Sequence, residues 1–235
     1  KLTLFPVDGG KASFGGFAFA PDGKSVYFIS DEPLQGKPQE FKTLRFHDPD
    51  SGRFEVLSAA IPWDVGGFGI ADDGRHLAYV SNEDGISRLR VLALPSHKEI
   101  KLPELPIGVI GGLAFSPDGG RLALTINSAT SPSDAYVVDL AAASLTRWTR
   151  SEVGGLDAST FVAPTLVRYP TFDKVDGVRR TIPAFFYKPA KRSGTPASKT
   201  GKYPVVINIH GGPESQSLPT FNATAQYLAN ELGVA

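Results

Sequence analysis

Three times before residue 120 this chain repeats one phrase. It runs Gly16-Phe17-Ala18-Phe19-Ala20-Pro21-Asp22-Gly23, then Gly67-Phe68-Gly69-Ile70-Ala71-Asp72-Asp73-Gly74, then Gly112-Leu113-Ala114-Phe115-Ser116-Pro117-Asp118-Gly119. The closing glycines lie 51 and 45 residues apart, the period of an architecture built from small repeated sheets. Each phrase reads as a strand entering a tight turn, where glycine accepts the positive φ that the reversal needs. A second strand follows each turn, at residues 25–30, 76–81 and 121–126. Third and fourth strands are predicted at 44–47 and 54–57, at 89–94 and 99–102, and at 135–140 and 145–148. Four strands per unit of this length make a propeller blade, which packs its faces on its neighbours. Residues 2–5 read as the last strand of a preceding blade. Three blades cannot close a ring and hide their edges, so the expectation is that earlier blades are missing from this sequence.

From Gly154 the pattern changes. Residues 154–164 read as an irregular connector, and 165–173 and 182–187 as two strands. Residues 188–202 hold five basic residues, no acidic one, and Pro, Gly and Ser throughout, the composition of a solvated loop. Val205-Val206-Ile207-Asn208-Ile209 is a β-branched run between Pro204 and a double glycine, which predicts a buried parallel strand. Residues 219–232 read as a helix, with Phe221, Ala225, Leu228, Ala229 and Leu232 on one apolar stripe, Pro219 in its first turn and Gly233 just past its end. Val234-Ala235 open a further strand, and the sequence stops in mid-sheet.

The turn after residue 209 is where open α/β sheets place ligands. Gly211 and Gly212 carry no Cβ, so their backbone N–H groups can approach a reacting atom. The strand and His-Gly-Gly-Pro turn, behind a repeated β region, resemble the prolyl oligopeptidase family of serine peptidases, which includes dipeptidyl-peptidase and acylaminoacyl-peptidase branches. The two strands of 165–187 are similar to those that open that family's hydrolase domain. The resemblance extends over essentially the whole chain. It implies a mostly β protein divided as 1–153 (the last propeller blades), 154–164 (connector) and 165–235 (the start of an α/β-hydrolase domain). It also implies that a backbone N–H of Gly211 or Gly212 is one donor of an oxyanion hole. His210 is then a loop-structuring residue, because the family's catalytic base comes far beyond Ala235. Glu214 could meet a substrate's amino terminus, although a solvated or paired carboxylate is the simpler reading.

The family's serine, aspartate and histidine would all lie downstream, and no Gly-x-Ser-x-Gly occurs here. The implied activity is hydrolysis of short peptides by acyl transfer in the intact protein, with this chain inactive alone. Two alternatives stand beside it: a non-catalytic propeller that binds a protein, and an esterase or amidase on the same fold.

Composition narrows the partners. Lys plus Arg and Asp plus Glu both number 24, so no net field favours nucleic acid. Cysteine is absent, which removes disulfides and thiolate metal sites. Asp48-Pro49-Asp50-Ser51-Gly52 begins like a calcium loop but lacks the closing glutamate. His47, His76 and His97 have no ligand spacing. No metal, cofactor or membrane span is implied. Trp63 and Trp148 are expected to pack between blades.

Overall fold

The computed structural model describes residues 11–189, 202–212 and 215–235. The strand expected at 2–5, most of the basic loop, and Glu214 lie outside the described residues.

Three four-stranded antiparallel sheets follow one another along the chain, each with its strands in sequence order. The first comprises β1 (Phe14–Phe19), β2 (Val26–Ser30), β3 (Thr43–His47) and β4 (Phe54–Val56). The second comprises β5 (Val65–Ile70), β6 (His76–Glu83), β7 (Ile86–Ala93) and β8 (Lys98–Glu99). The third comprises β9 (Gly108–Phe115), β10 (Arg121–Ser128), β11 (Ser131–Asp139) and β12 (Ser144–Arg147). Strands β7 and β11 begin earlier than the sequence pattern suggested, because tight hairpins pair residues right up to the turn, as Glu83 pairs with Ile86.

The middle sheet is covered on both faces. Along β6, Leu77 and Tyr79 pack with Tyr27, Leu44 and Leu92 toward the first sheet. Between them Ala78 joins Leu122, Leu124 and Ile126 on the side of the third. This is the two-residue alternation of a strand. Burying a leucine such as Leu77 stabilises by roughly 1.5–3 kcal/mol, so the alternation fixes which face each sheet presents to its neighbour.

The repeated turns also stack. A Cβ on Gly74 would fall 2.7 Å from Pro21 Cβ, and one on Gly119 would fall 2.1 Å from Asp73 Oδ2. Both glycines have positive φ as well, +70° and +65°. Asp22, Asp73 and Asp118 each accept the backbone N–H two residues on, which is turn chemistry and not a ligand site. Between the first two sheets, His97 accepts the Tyr27 hydroxyl proton at Nε2 (2.9 Å) and donates Nδ1–H to Glu55 (2.8 Å). Burial pushes the Tyr27 hydroxyl up to about 12, so it remains a donor at neutral pH.

Trp148 corrects an expectation. It is 66% exposed, because it follows β12, the outermost strand of its sheet. Trp63 is half-buried, with its ring centroid 6.4 Å from that of Phe41.

Asp134, 1% exposed, anchors the exit from the third sheet. Its carboxylate accepts from Thr149 Oγ1 (2.7 Å), Ser151 N (2.8 Å), Ser131 Oγ (3.0 Å) and the Arg147 guanidinium. Burial opposes its ionisation, but these donors outweigh burial and hold the carboxyl at about 2. A short 3₁₀ turn, Ala158–Thr160, capped by Asp157, leads into the hairpin of β13 (Thr165–Val175) and β14 (Val178–Phe186). The hairpin reverses at Asp176-Gly177, both with positive φ.

The helix α1 is Ala223–Asn230, shorter than expected at both ends. Asn222, not the first turn after Pro219, starts it, its side-chain oxygen accepting from Ala225 N at 2.9 Å. Gly233, at φ +63°, lets Val234 N–H reach back to Leu228 O (2.9 Å) and stops it.

Candidate active site

Residues 205–209 do not form the buried strand that their composition predicts. Val206 is 56% exposed, Ile207 80% and Ile209 81%. The backbone nevertheless pairs with Ala235: Val206 N–H donates to Ala235 O, and Ala235 N–H to Pro204 O, both at 2.9 Å. One residue bonding to two others spaced i and i+2 is the parallel pattern. Among the described residues no named strand flanks this segment, so its β-branched side chains stay in solvent.

The turn beyond it is open. His210, Gly211 and Gly212 are all exposed. A Cβ on Gly211 would meet nothing within 4 Å, and Gly212 adopts φ +150°, a conformation that favours glycine. His210 Nδ1 donates to Gly211 O at 3.0 Å, so the ring is engaged within its own loop. Chemically, such a turn offers unencumbered backbone donors to an anionic oxygen. Among the described residues there is no group of three or more His, Asp or Glu able to hold a metal ion. No helix there is long and apolar enough to cross a membrane.

Support for the turn comes from two hairpins of the repeated sheets. The β10–β11 hairpin holds the helix end. Asn127 Oδ1 accepts from Phe221 N (2.8 Å), and Gln226 Nε2 donates to Ala129 O (2.8 Å) and Val162 O (2.9 Å). Gln226 Oε1 also accepts from Val162 N (2.8 Å), so this buried amide joins helix, connector and third sheet. The β6–β7 hairpin holds the loop itself. Asn82 Nδ2 donates to Gln216 Oε1 at 2.8 Å, and Asp84 pairs with Arg168 of β13. Between the β6–β7 hairpin and strands β5 and β9 lies a cavity of about 430 Å³, bounded by Gly66, Gly67, Gly111, Gly112, Asn82 and Leu218.

Sequence reasoning overlooked Asn82, Asp84, Gln216 and Gln226. Asp84-Gly85 between alternating strands was a legible hairpin signal. Gln226 lies just beside the expected apolar stripe, and the helix buries Gln226, Ala229 and Asn230 while Leu232 of that stripe stays 49% exposed.

No family model matches the chain. A curated relative, the uncharacterized peptidase YuxL of Bacillus subtilis (strain 168), is 26% identical over 115 residues, covering 46% of this chain and 16% of that protein. A solved puromycin hydrolase superposes with a TM-score of 0.70 at 19% identity, covering 95% of this chain and 32% of its own. Dipeptidyl peptidase 4 of Porphyromonas gingivalis gives 0.64 at 19%, covering 93% and 29%. The chain thus spans about a third or less of the length of these proteins. Acylaminoacyl peptidase and prolyl endopeptidases share the fold as well. In fold, and over part of its sequence, this mostly β chain is similar to peptidases of the prolyl oligopeptidase family.

Proposed function

We propose that these residues belong to a serine peptidase of the prolyl oligopeptidase type. In this reading residues 1–153 supply blades of a β-propeller, 154–164 the connector, and 165–235 the opening strands, loop and first helix of an α/β-hydrolase domain. A serine beyond Ala235 attacks the substrate carbonyl, a histidine takes its proton, and an aspartate orients that histidine. The oxygen of the tetrahedral intermediate accepts a hydrogen bond from the backbone N–H of Gly211 or Gly212. His210 holds the loop and takes no part in proton transfer. In this reading Glu214 is the carboxylate that could meet the amino terminus of a peptide, a solvated or paired carboxylate being the simpler role.

The observation that carries this reading is the open, side-chain-free Gly211-Gly212 turn. It stands at the carboxyl end of a segment paired in parallel with Ala235, where α/β sheets bind ligands. The substrate class is short peptides and peptide-like amides, by analogy with the puromycin-hydrolyzing and dipeptidyl peptidases that share the fold. These 235 residues contain no Gly-x-Ser-x-Gly, so in this reading they should not turn over substrate alone.

The test uses the complete protein that carries this chain. A fluorophosphonate should label one serine, and aminoacyl and dipeptidyl anilides should be cleaved. The isolated chain should do neither. A complete protein that resists the fluorophosphonate and cleaves no anilide would overturn the reading in favour of a binding module. Cleavage of esters alone would place it among esterases.

A further inference from the structure

We propose that the tip of the β6–β7 hairpin positions the oxyanion loop, with the Asn82–Gln216 hydrogen bond as the joint between them. This rests on the peptidase reading given above.

The tip is built to be stiff. Glu83 pairs with Ile86, leaving only Asp84 and Gly85 in the reversal, at φ +54° and +83°. Two consecutive residues with positive φ make the turn that matches strand twist, and it cannot flex without breaking the ladder. Its base is braced by polar contacts. Arg90 reaches Glu83 Oε1 and Ser81 Oγ, both at 2.8 Å, and Ser81 Oγ donates to Glu83 at 2.7 Å. Asn82 closes the turn from inside, its Oδ1 accepting Gly85 N–H at 2.9 Å.

The same asparagine faces outward with its other atom. Asn82 Nδ2 donates to Gln216 Oε1 at 2.8 Å, across 134 residues of chain. Gly85 seats the contact. A Cβ there would lie 3.2 Å from both Phe185 Cε2 and the Ser217 carbonyl oxygen, so the bare backbone of the tip sits against β14 and the loop together. Asp84 adds its ion pair with Arg168. One rigid tip therefore touches the β13–β14 hairpin and the loop at once.

Among the described residues the loop is reached from two sides. Before the glycines its described backbone partner is Ala235, and after them its first described side-chain contact is Gln216 with Asn82. Gln216 follows Gly212 by four residues, at most about 14 Å of extended chain. A shift at Gln216 is thus felt at the donors. Oxyanion donors work only when they are held about 2.7–3.1 Å from the charged oxygen, so loosening the loop should cost turnover more than substrate binding. Asn82 and Gln216 are positioning residues in this scheme and touch no reacting atom.

The experiment is steady-state kinetics of the complete peptidase with Asn82→Ala, Gln216→Ala and the double variant. Each single change should lower kcat about tenfold with KM within about twofold, and the double variant should match the singles. Gln216 is exposed, so its truncation leaves the fold intact and carries the test if Asn82→Ala unfolds. Asn82→Asp should restore most of kcat. Its carboxylate still accepts from Gly85 N–H and takes the Gln216 amide proton once that side chain flips. Unchanged kcat in Gln216→Ala, additive losses in the double variant, or no rescue by Asp overturns the inference and leaves the peptidase reading standing. A wild-type protein that neither reacts with a fluorophosphonate nor cleaves anilides overturns the reading, and the inference with it.

Discussion

Strand β6 and the segment 204–209 look alike on paper: each is short, apolar and rich in residues that favour extended backbone. In the fold they are opposites. Leu77 and Ala78 have no exposed surface and Tyr79 only 2%, whereas Ile207 and Ile209 are about four-fifths exposed. β6 has a paired strand on each side and a sheet packed on each face. The segment 204–209 has two hydrogen bonds to Ala235. The difference teaches that β-propensity describes a side chain's fit to a pleated surface, while burial is conferred by the neighbours that supply the surface.

The comparison can be broken most forcefully from its buried end. Leu77→Ala should cost about 3 kcal/mol in urea unfolding, through lost burial and the cavity left between two sheets. A cost below about 1 kcal/mol would mean that the first two sheets are not packed as described. Acid gives the next largest effect. Asp134 is held at about 2, below the usual 3.8, so its contribution is complete above about pH 5 and is lost as pH falls toward 2. The shift corresponds to about 2 kcal/mol, and Asp134→Asn should remove that part of the acid dependence.

Two glycines sharpen the picture further. Gly23→Ala meets only the strain of positive φ, about 1 kcal/mol, because nothing lies within 4 Å of the added methyl. Gly74→Ala meets the same strain and the Pro21 ring, and should cost about 1 kcal/mol more. Equal costs would show that the turns of adjacent sheets do not touch. The smallest effect belongs to the exposed segment, where Ile207→Ala should change the stability of this 235-residue chain by less than about 0.5 kcal/mol.

What was legible in the sequence follows the same divide. The three sheets could be read because each turn repeats a locally determined device, an Asp that caps and a Gly that reverses, and local rules survive in any tertiary setting. Gly233 was readable as a stop signal for the same reason, although α1 already ends at Asn230. Its start was misplaced because Pro219 suits a first turn, whereas Asn222 has the side chain that satisfies the free N–H groups. The burial of 205–209 could not be judged, since it depends on which strands flank it. The Gly211-Gly212 turn was legible as an open turn without side chains. What supports it was not: Asn82 meets Gln216, and Gln226 meets Ala129, 97 residues away in sequence, and no periodicity links such pairs.

The stacked turns have an evolutionary corollary. Gly74 is moulded by Pro21, and Gly119 by Asp73, each one sheet earlier in the chain. Every unit therefore presses its shape on its successor, as one roof tile overlaps another. Gain or loss of an entire unit preserves the overlap, since the newcomer brings both its own glycine and its own overhang. Replacing one glycine leaves the tile in place and lifts the one before it. In such a lineage the number of units can drift while that single position stays fixed.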